Sequence, residues 1–318
     1  MQRFILRRFV FGLLAMLGAT MIVFASSRLA GDPRLLYADR PGYGLTPEQY
    51  EALGKKLGLD KPLVVQYFMW VGGVLRGDLG RTIMDDRPIA ELLPSRLVAS
   101  LQLGFAAWLY ALIVGIPAGV VAAIKRGKIA DYVVRTYALG GFALPAFWTG
   151  LMGILIFTQR LDWLPGGTWG SSKDFPLSWS HVKYFLMPTV VAGWHPAATW
   201  MRLTRSAMLE ILDSEYIRFA RSKGVGEWSV VWKHAFRNAM IPPLTVMAMS
   251  LAGFIGHMIV VETVFSWPGT GRMVAEAIYN NDFPVLTACV LVFTGFYVVA
   301  NFVADMAYAY IDPRIRYT

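Results

Sequence analysis

The chain has 318 residues, of which 56% are hydrophobic and 16% charged, and it carries a formal net charge of +9. Soluble domains hold about 25% charged residues, so this composition excludes an ordinary soluble fold and points to a protein embedded in a bilayer. A single cysteine, Cys289, excludes a disulfide framework and a thiolate metal site, and the histidines His181, His195, His234 and His257 lack ligand spacing.

Arg3, Arg7 and Arg8 precede an apolar run from Phe9 to Phe24. The run could be a signal peptide cleaved at Ala25-Ser26-Ser27. Extended to Leu29 it approaches the roughly 20 residues that cross a bilayer, and further spans follow, so residues 1–30 read as an N-terminus with an uncleaved first transmembrane helix. Gly31-Asp32-Pro33 ends it. Residues 31–96 turn polar and proline-punctuated. Thr46-Pro47-Glu48-Gln49 is a capping box that opens a helix closed by Gly58. Val64 to Leu75, with Tyr67, Phe68 and Trp70, is too short to cross and suits an interfacial helix.

Residues 97–318 hold the remaining spans. The second runs from Leu97 to Ala123, with Gly115 and Gly119 as a small-xxx-small pair for close helix approach. The third, Val133 to Phe157, contains Pro145. The fourth, Tyr184 to Met201, is interrupted at His195-Pro196. The fifth covers Leu244 to Val264 and the sixth Val285 to Ile311. The expected fold is all-α: about six transmembrane helices, a helical extracytoplasmic segment between the first two, and a cytoplasmic helical loop, residues 202–242, between the fourth and fifth.

Charge orients this plan. The N-terminus, Lys125 to Lys128, Arg202 to Arg237 and the C-terminus all carry excess Lys and Arg, whereas residues 31–96 balance their charges. The positive-inside rule puts both termini and the 202–242 loop in the cytoplasm, so the basic excess needs no nucleic-acid partner.

Within that loop, Asp213 or Ser214 caps a short helix. Glu215 lies in its first turn, Arg221 and Lys223 in its last, and Gly224 stops it. In a second run, from Gly226 to Met240, Trp228, Val231, Trp232 and Ala235 form an apolar stripe at helical spacing. On helix signals alone this is equally a solvated connector. Its residues decide otherwise. Ala220-Arg221-Ser222-Lys223-Gly224 and the later run from His234 to Pro243 resemble the coupling loop of permease subunits from binding-protein-dependent ABC importers. The similarity is to the dipeptide/oligopeptide branch and its B-type inner-membrane subunit. Where the wider family has Glu-Ala-Ala, this chain has Arg218, Phe219 and Ala220. Where the family has Ile-x-Leu-Pro it has His234 to Arg237, with proline delayed to Pro242. Both departures are typical of the peptide branch. Ala30 to Pro33, Leu57 to Pro62, Gly77 to Gly80 and Asp312 to Arg316 extend the resemblance along the chain.

The resemblance implies several partners: a second homologous permease, two ATPase subunits that bind ATP and Mg, an extracytoplasmic binding protein, and the lipid of a prokaryotic inner membrane. It makes Glu215, Tyr216, Arg218, Phe219, Ala220, Arg221, Lys223 and Gly224 the ATPase contact. It also places Glu262, Trp267, Pro268 and Gly269 near the outer mouth, although as a sequence this segment is equally a turn closed by Pro-Gly. The chain itself has no phosphate loop, since neither Gly54-Lys55 nor Gly127-Lys128 is followed by Ser or Thr, and no catalytic constellation is present. It is therefore expected to bind no cofactor and to catalyse nothing. An ion-coupled secondary transporter is the alternative, and it calls for inverted repeats and ionisable residues at the midplane. Asp305 is the intramembrane carboxylate to account for, and Arg202 or Arg135 is its expected partner.

Overall fold

The computed structural model describes residues 2–29, 34, 46–56, 59–167 and 179–311. Among them, secondary structure is helical apart from one antiparallel bridge between Arg81 and Pro88. The chain divides into two compact units, one built chiefly from residues 1–99 and 269–302, the other from 100–268.

In the first unit, α1 (Gln2–Leu29) is an apolar helix long enough to span a bilayer. The capping-box region forms α2 (Pro47–Lys56), and the aromatic run forms α3 (Leu63–Val74). The aromatic residues of α3 do more than sit at an interface. Tyr67 is buried against α1, its hydroxyl 2.8 Å from that of Thr20 and 3.0 Å from the Leu17 carbonyl, with Phe24 and Trp70 packed around its ring. A tight turn follows in which the Ile83 amide donates to Asp282 at 2.8 Å and the Ile89 amide donates to Gly80 at 3.0 Å. It launches α4 (Ile89–Ile124), which starts eight residues before the expected Leu97. Glu91 and Arg96 made those turns look extramembranous. A 36-residue helix is about 54 Å long and so outruns the hydrocarbon core. The same unit holds α12 (Thr270–Tyr279) and most of α13 (Phe283–Ile311), outside whose described side chains Asp305 lies.

The second unit departs from the expected spans in two places. The third span is broken: α5 (Ile129–Ala143) and α6 (Ala146–Gly153), the latter continued by a π-helical turn from Ile154 to Arg160, meet at 109°. Pro145 forces the residue before it out of helical geometry, and Leu144 is extended (φ −96, ψ 125). The fourth span, by contrast, is not interrupted. α7 (Trp179–Leu212) runs through both Pro188 and Pro196. Interior proline costs a helix about 3 kcal/mol, and here burial outweighs it: Ala197, Ala198, Trp200 and Met201, directly after Pro196, are all core residues.

Close approach of α4 to α7 rests on the two glycines. A β-carbon at Gly115 would lie 2.9 Å from the Ala197 carbonyl, and one at Gly119 would lie 2.7 Å from both the Met201 carbonyl and the Thr204 side chain. The last long helix of the unit is α11 (Ile241–Val264), with prolines in its first turn.

Candidate functional site

The loop helix is α8 (Glu215–Ser222), and it is seated on the ends of α4 and α7. Ile217 and Ala220 are buried with Val120 and Ala123 of α4 and Met208 of α7. Ala220 thus faces the chain's own core, leaving Tyr216 and Phe219 as the apolar side chains on the outer face; Phe219 is 61% exposed. Lys223 lies over the Phe219 ring at 4.5 Å, and Arg218 pairs with Glu215 at 2.7 Å.

Neither expected side-chain cap forms. Ser214 occupies the cap position in extended geometry but donates back to Ile211 at 2.6 Å, and Asp213 pairs with Arg126 at 3.4 Å. The C-terminal stop is as the sequence predicts. Gly224 is left-handed (φ +77), its amide donates to Arg221 at 2.9 Å, and the Val225 amide donates to Ala220 at 3.3 Å. That pair of bonds is a Schellman motif. Arg221 then clamps the turn by donating to both oxygens of Glu227, at 2.6 and 3.2 Å. The pairing holds the Glu227 carboxyl below the usual carboxylate range and raises Arg221.

The second run does not form the expected stripe. It consists of α9 (Glu227–Ser229), a π-helical segment Val230–Ala235, and α10 (Phe236–Ala239). The wide turns change which residues face inward: Val230, Val231, Ala235 and Ala239 are buried, whereas Trp228 is 76% exposed. Trp228, Trp232 and Phe236 instead meet in series as tilted rings, with centroids 5.5 and 5.3 Å apart. His234 ties this run to α8 through Nδ1, 2.7 Å from the Tyr216 hydroxyl.

At the opposite ends of α4 and α11, Glu262 is buried and accepts from the Ser100 hydroxyl at 2.6 Å. The Trp267 amide donates to the Glu262 carbonyl at 2.8 Å, and its buried ring meets Phe185 at 4.5 Å. Pro268 follows. Gly269 is the residue that caps α12 in the other unit. The two ends of the second unit are thus distinct: one carries α8 and the basic Lys125 to Lys128 turn, the other carries Glu262 and Trp267.

Between them lies a cavity of about 530 Å³, walled by residues that include Phe142, Pro145, Trp194, His195, Trp200 and Met258. The bend between α5 and α6 forms one side of it and the middle of α7 another. Near the end that carries α8, α7 is fixed to α5 by an ion pair the sequence did not reveal. Arg205 donates to both oxygens of buried Asp131, at 2.8 and 2.9 Å, and the Gly127 amide adds a bond at 3.0 Å. The signal available was an acid at the start of one span facing a run of arginines at the end of the next. Arg202 lies 4.6 Å from the Phe142 ring and Arg135 lies 5.9 Å from the Tyr132 ring, while Asp305, whose expected partners they are, lies outside the described side chains.

A helical, polytopic chain with an amphipathic helix seated at one end of its bundle has the form of a membrane permease subunit. It belongs to the family of binding-protein-dependent transport system inner membrane components, whose model matches residues 115–317, while the model for the N-terminal part of binding-protein-dependent transport system membrane components matches residues 1–87. A putative peptide permease of Brucella ovis is 37% identical over the whole of both chains. A dipeptide transport system permease of Alkalihalophilus pseudofirmus is 35% identical, again over the whole of both. The corresponding Escherichia coli K12 protein is 35% identical over all of this chain and 99% of its own length. Among solved structures, an inward-facing MetNI methionine ABC transporter chain superposes with a TM-score of 0.54 at 17% identity, covering 70% of this chain and 96% of that one, which shows a shared fold. The chain is the permease subunit of an ABC importer.

Proposed function

We propose that this permease carries short peptides, and that it forms half of a pathway completed by a second homologous permease. Two ATPase subunits would hold ATP and Mg, and an extracytoplasmic binding protein would deliver the substrate. The peptide assignment rests on the names of full-length relatives. The coupling assignment rests on one observation: α8 is anchored by Ile217 and Ala220 to the ends of α4 and α7 while its outer face offers Tyr216, Phe219, Arg218 and Lys223. A push on that face therefore reaches two long helices directly. The basic residues at this end support a cytoplasmic placement, and with it six spans and cytoplasmic termini. α7 and α11, at 34 and 24 residues, have the length to complete the set begun by the apolar spans. The ion-coupled alternative draws no support from Asp131 and Glu262, buried residues whose carboxylates are both engaged in hydrogen bonds.

The test is reconstitution in proteoliposomes. Purified alone, the chain shows no ATP hydrolysis. The full complex with loaded binding protein takes up labelled dipeptide only when ATP is supplied. Uptake by the isolated chain down a proton gradient would overturn the reading.

A further inference from the structure

The helix α8 bears on α4 and α7, whereas the bend beside the cavity begins at the end of α5, and α5 contributes no residue to the buried cluster around α8. What ties α5 to the helices that α8 touches is the Asp131 carboxylate. Asp131 is the third residue of α5, and the turn before it, Lys125 to Lys128, reverses through Gly127 in left-handed geometry (φ +73). The reversal aims the Gly127 amide at Asp131 Oδ2, 3.0 Å away. Arg205, about two helical turns before the end of α7 at Leu212, donates to both carboxylate oxygens at 2.8 and 2.9 Å. One buried carboxylate thus joins the α4–α5 turn, the start of α5 and the last turns of α7. The same turn reaches the entry of α8, because Arg126 pairs with Asp213 at 3.4 Å. At its other end α5 meets α7 through the Trp194 ring, which lies against Gly140 and Gly141 and donates from its indole to the Tyr137 carbonyl at 3.1 Å.

Holding two helices together does not require charge. Apolar residues of similar volume do so without the cost of taking two ions out of water. What a two-bond fork adds is a fixed spacing and a fixed orientation, because guanidinium and carboxylate must stay coplanar to keep both bonds. Apolar side chains allow packed helices to slide by small steps, and the fork resists that slide at the end where α8 is seated. We infer that Asp131 and Arg205 are positioning residues for energy coupling: they make α5, and with it the bend at Leu144–Pro145, follow α7 when α8 is displaced. The inference rests on the coupling reading of α8 above. Without the pair, a displaced α8 carries α4 and α7 past the start of α5. With it, the three helices move as one body, through a continuous chain of bonds and packed side chains.

The experiment uses the full complex in proteoliposomes with loaded binding protein, recording dipeptide uptake and ATP hydrolysis together. Asp131→Asn keeps the shape of the side chain but turns an N–H group toward the guanidinium, and it moves about tenfold less dipeptide per ATP hydrolysed, within the range of single coupling free energies. Arg205→Lys keeps the charge but lacks the fork, and its ratio lies between that of Asp131→Asn and wild type. A pair that only stabilises the fold lowers uptake and hydrolysis together and leaves their ratio at the wild-type value, and that result overturns the inference. A second measurement stands if Asp131→Asn assembles poorly. Spin labels are placed on two exposed residues of α5 and α7 through Ile129→Cys and Ser206→Cys in a Cys289→Ser background. Their spacing is the same in nucleotide-free and ATP-trapped complexes with Asp131 and Arg205 intact, and it changes on ATP trapping when Arg205→Lys is added. A change with the pair intact, or none in Arg205→Lys, overturns the inference. A wild-type complex whose uptake ignores ATP overturns the coupling reading and this inference with it, whereas a wild-type ratio in Asp131→Asn removes only the role of the pair.

Discussion

Gly119 and Gly104 lie on the same helix and differ in what a side chain would meet. A β-carbon at Gly119 would sit 2.7 Å from the backbone of α7, while at Gly104 nothing lies within 4 Å. Overpacking of a close helix contact costs about 1–3 kcal/mol. Gly119→Val therefore lowers the thermal midpoint of the purified chain in detergent, whereas Gly104→Ala raises it slightly, because alanine is favoured over glycine in a helix by about 1 kcal/mol. Equal midpoints for Gly119→Val and wild type would mean that α4 and α7 do not approach as described. The small-residue spacing of Gly115 and Gly119 was legible in the sequence because one rule governs it. The Asp131–Arg205 pair was not, because it joins residues on different helices and neither carries a local pattern.

At the scale of the element, the α8 turn is held by a Schellman motif and by the Arg221–Glu227 clamp. Both side chains are substantially exposed, so the clamp contributes little to global stability and acts on the local turn. Its pH dependence has a definite sign. Arg221 depresses the Glu227 carboxyl, so the clamp's contribution is fully present above the unfolded carboxylate pKa and is lost as pH falls through the lower, folded one. Amide hydrogen exchange at Gly224 and Val225 in the wild type, corrected for intrinsic rates, should therefore accelerate at acid pH. In Glu227→Gln it should be faster already at neutral pH and show no such transition. Matching pH profiles would remove the clamp from the account. α8 itself could be read from its capping and its stop residue, since helix ends are local. The segment after it could not. Trp228, Val231, Trp232 and Ala235 form a stripe only at 3.6 residues per turn, and the π-helical turns from Val230 to Ala235 break that period. The prolines misled in both directions. Pro145 looked compatible with a single span and the chain bends there by 109°, while Pro196 looked like a break and α7 continues through it. Buried packing after Pro196 made the difference, and packing is not written in a single segment.

For the whole molecule, the charge asymmetry predicts which loops face out. In a Cys289→Ser background, Lys55→Cys reacts with an impermeant thiol reagent applied to intact cells, and Lys128→Cys reacts only after the membrane is opened. Labelling of Lys128→Cys from outside would reverse the orientation and take the coupling role of α8 with it. That role is the central claim, and Gly224 gives access to it. Its backbone is left-handed (φ +77) and no atom lies within 4 Å of where a side chain would start, so a substitution strains the turn without crowding anything. Left-handed geometry costs a non-glycine residue about 1–2 kcal/mol, with asparagine best tolerated. The deciding measurement is peptide uptake and ATP hydrolysis recorded together in proteoliposomes holding the full complex with wild type, Gly224→Asn or Gly224→Val. The account predicts that Gly224→Val inserts and expresses normally yet moves about tenfold less peptide per ATP hydrolysed, the scale set by a loss of about 1.4 kcal/mol, with Gly224→Asn between it and wild type. Wild-type uptake and wild-type hydrolysis in Gly224→Val would show that the turn is a connector, and the account would be contradicted.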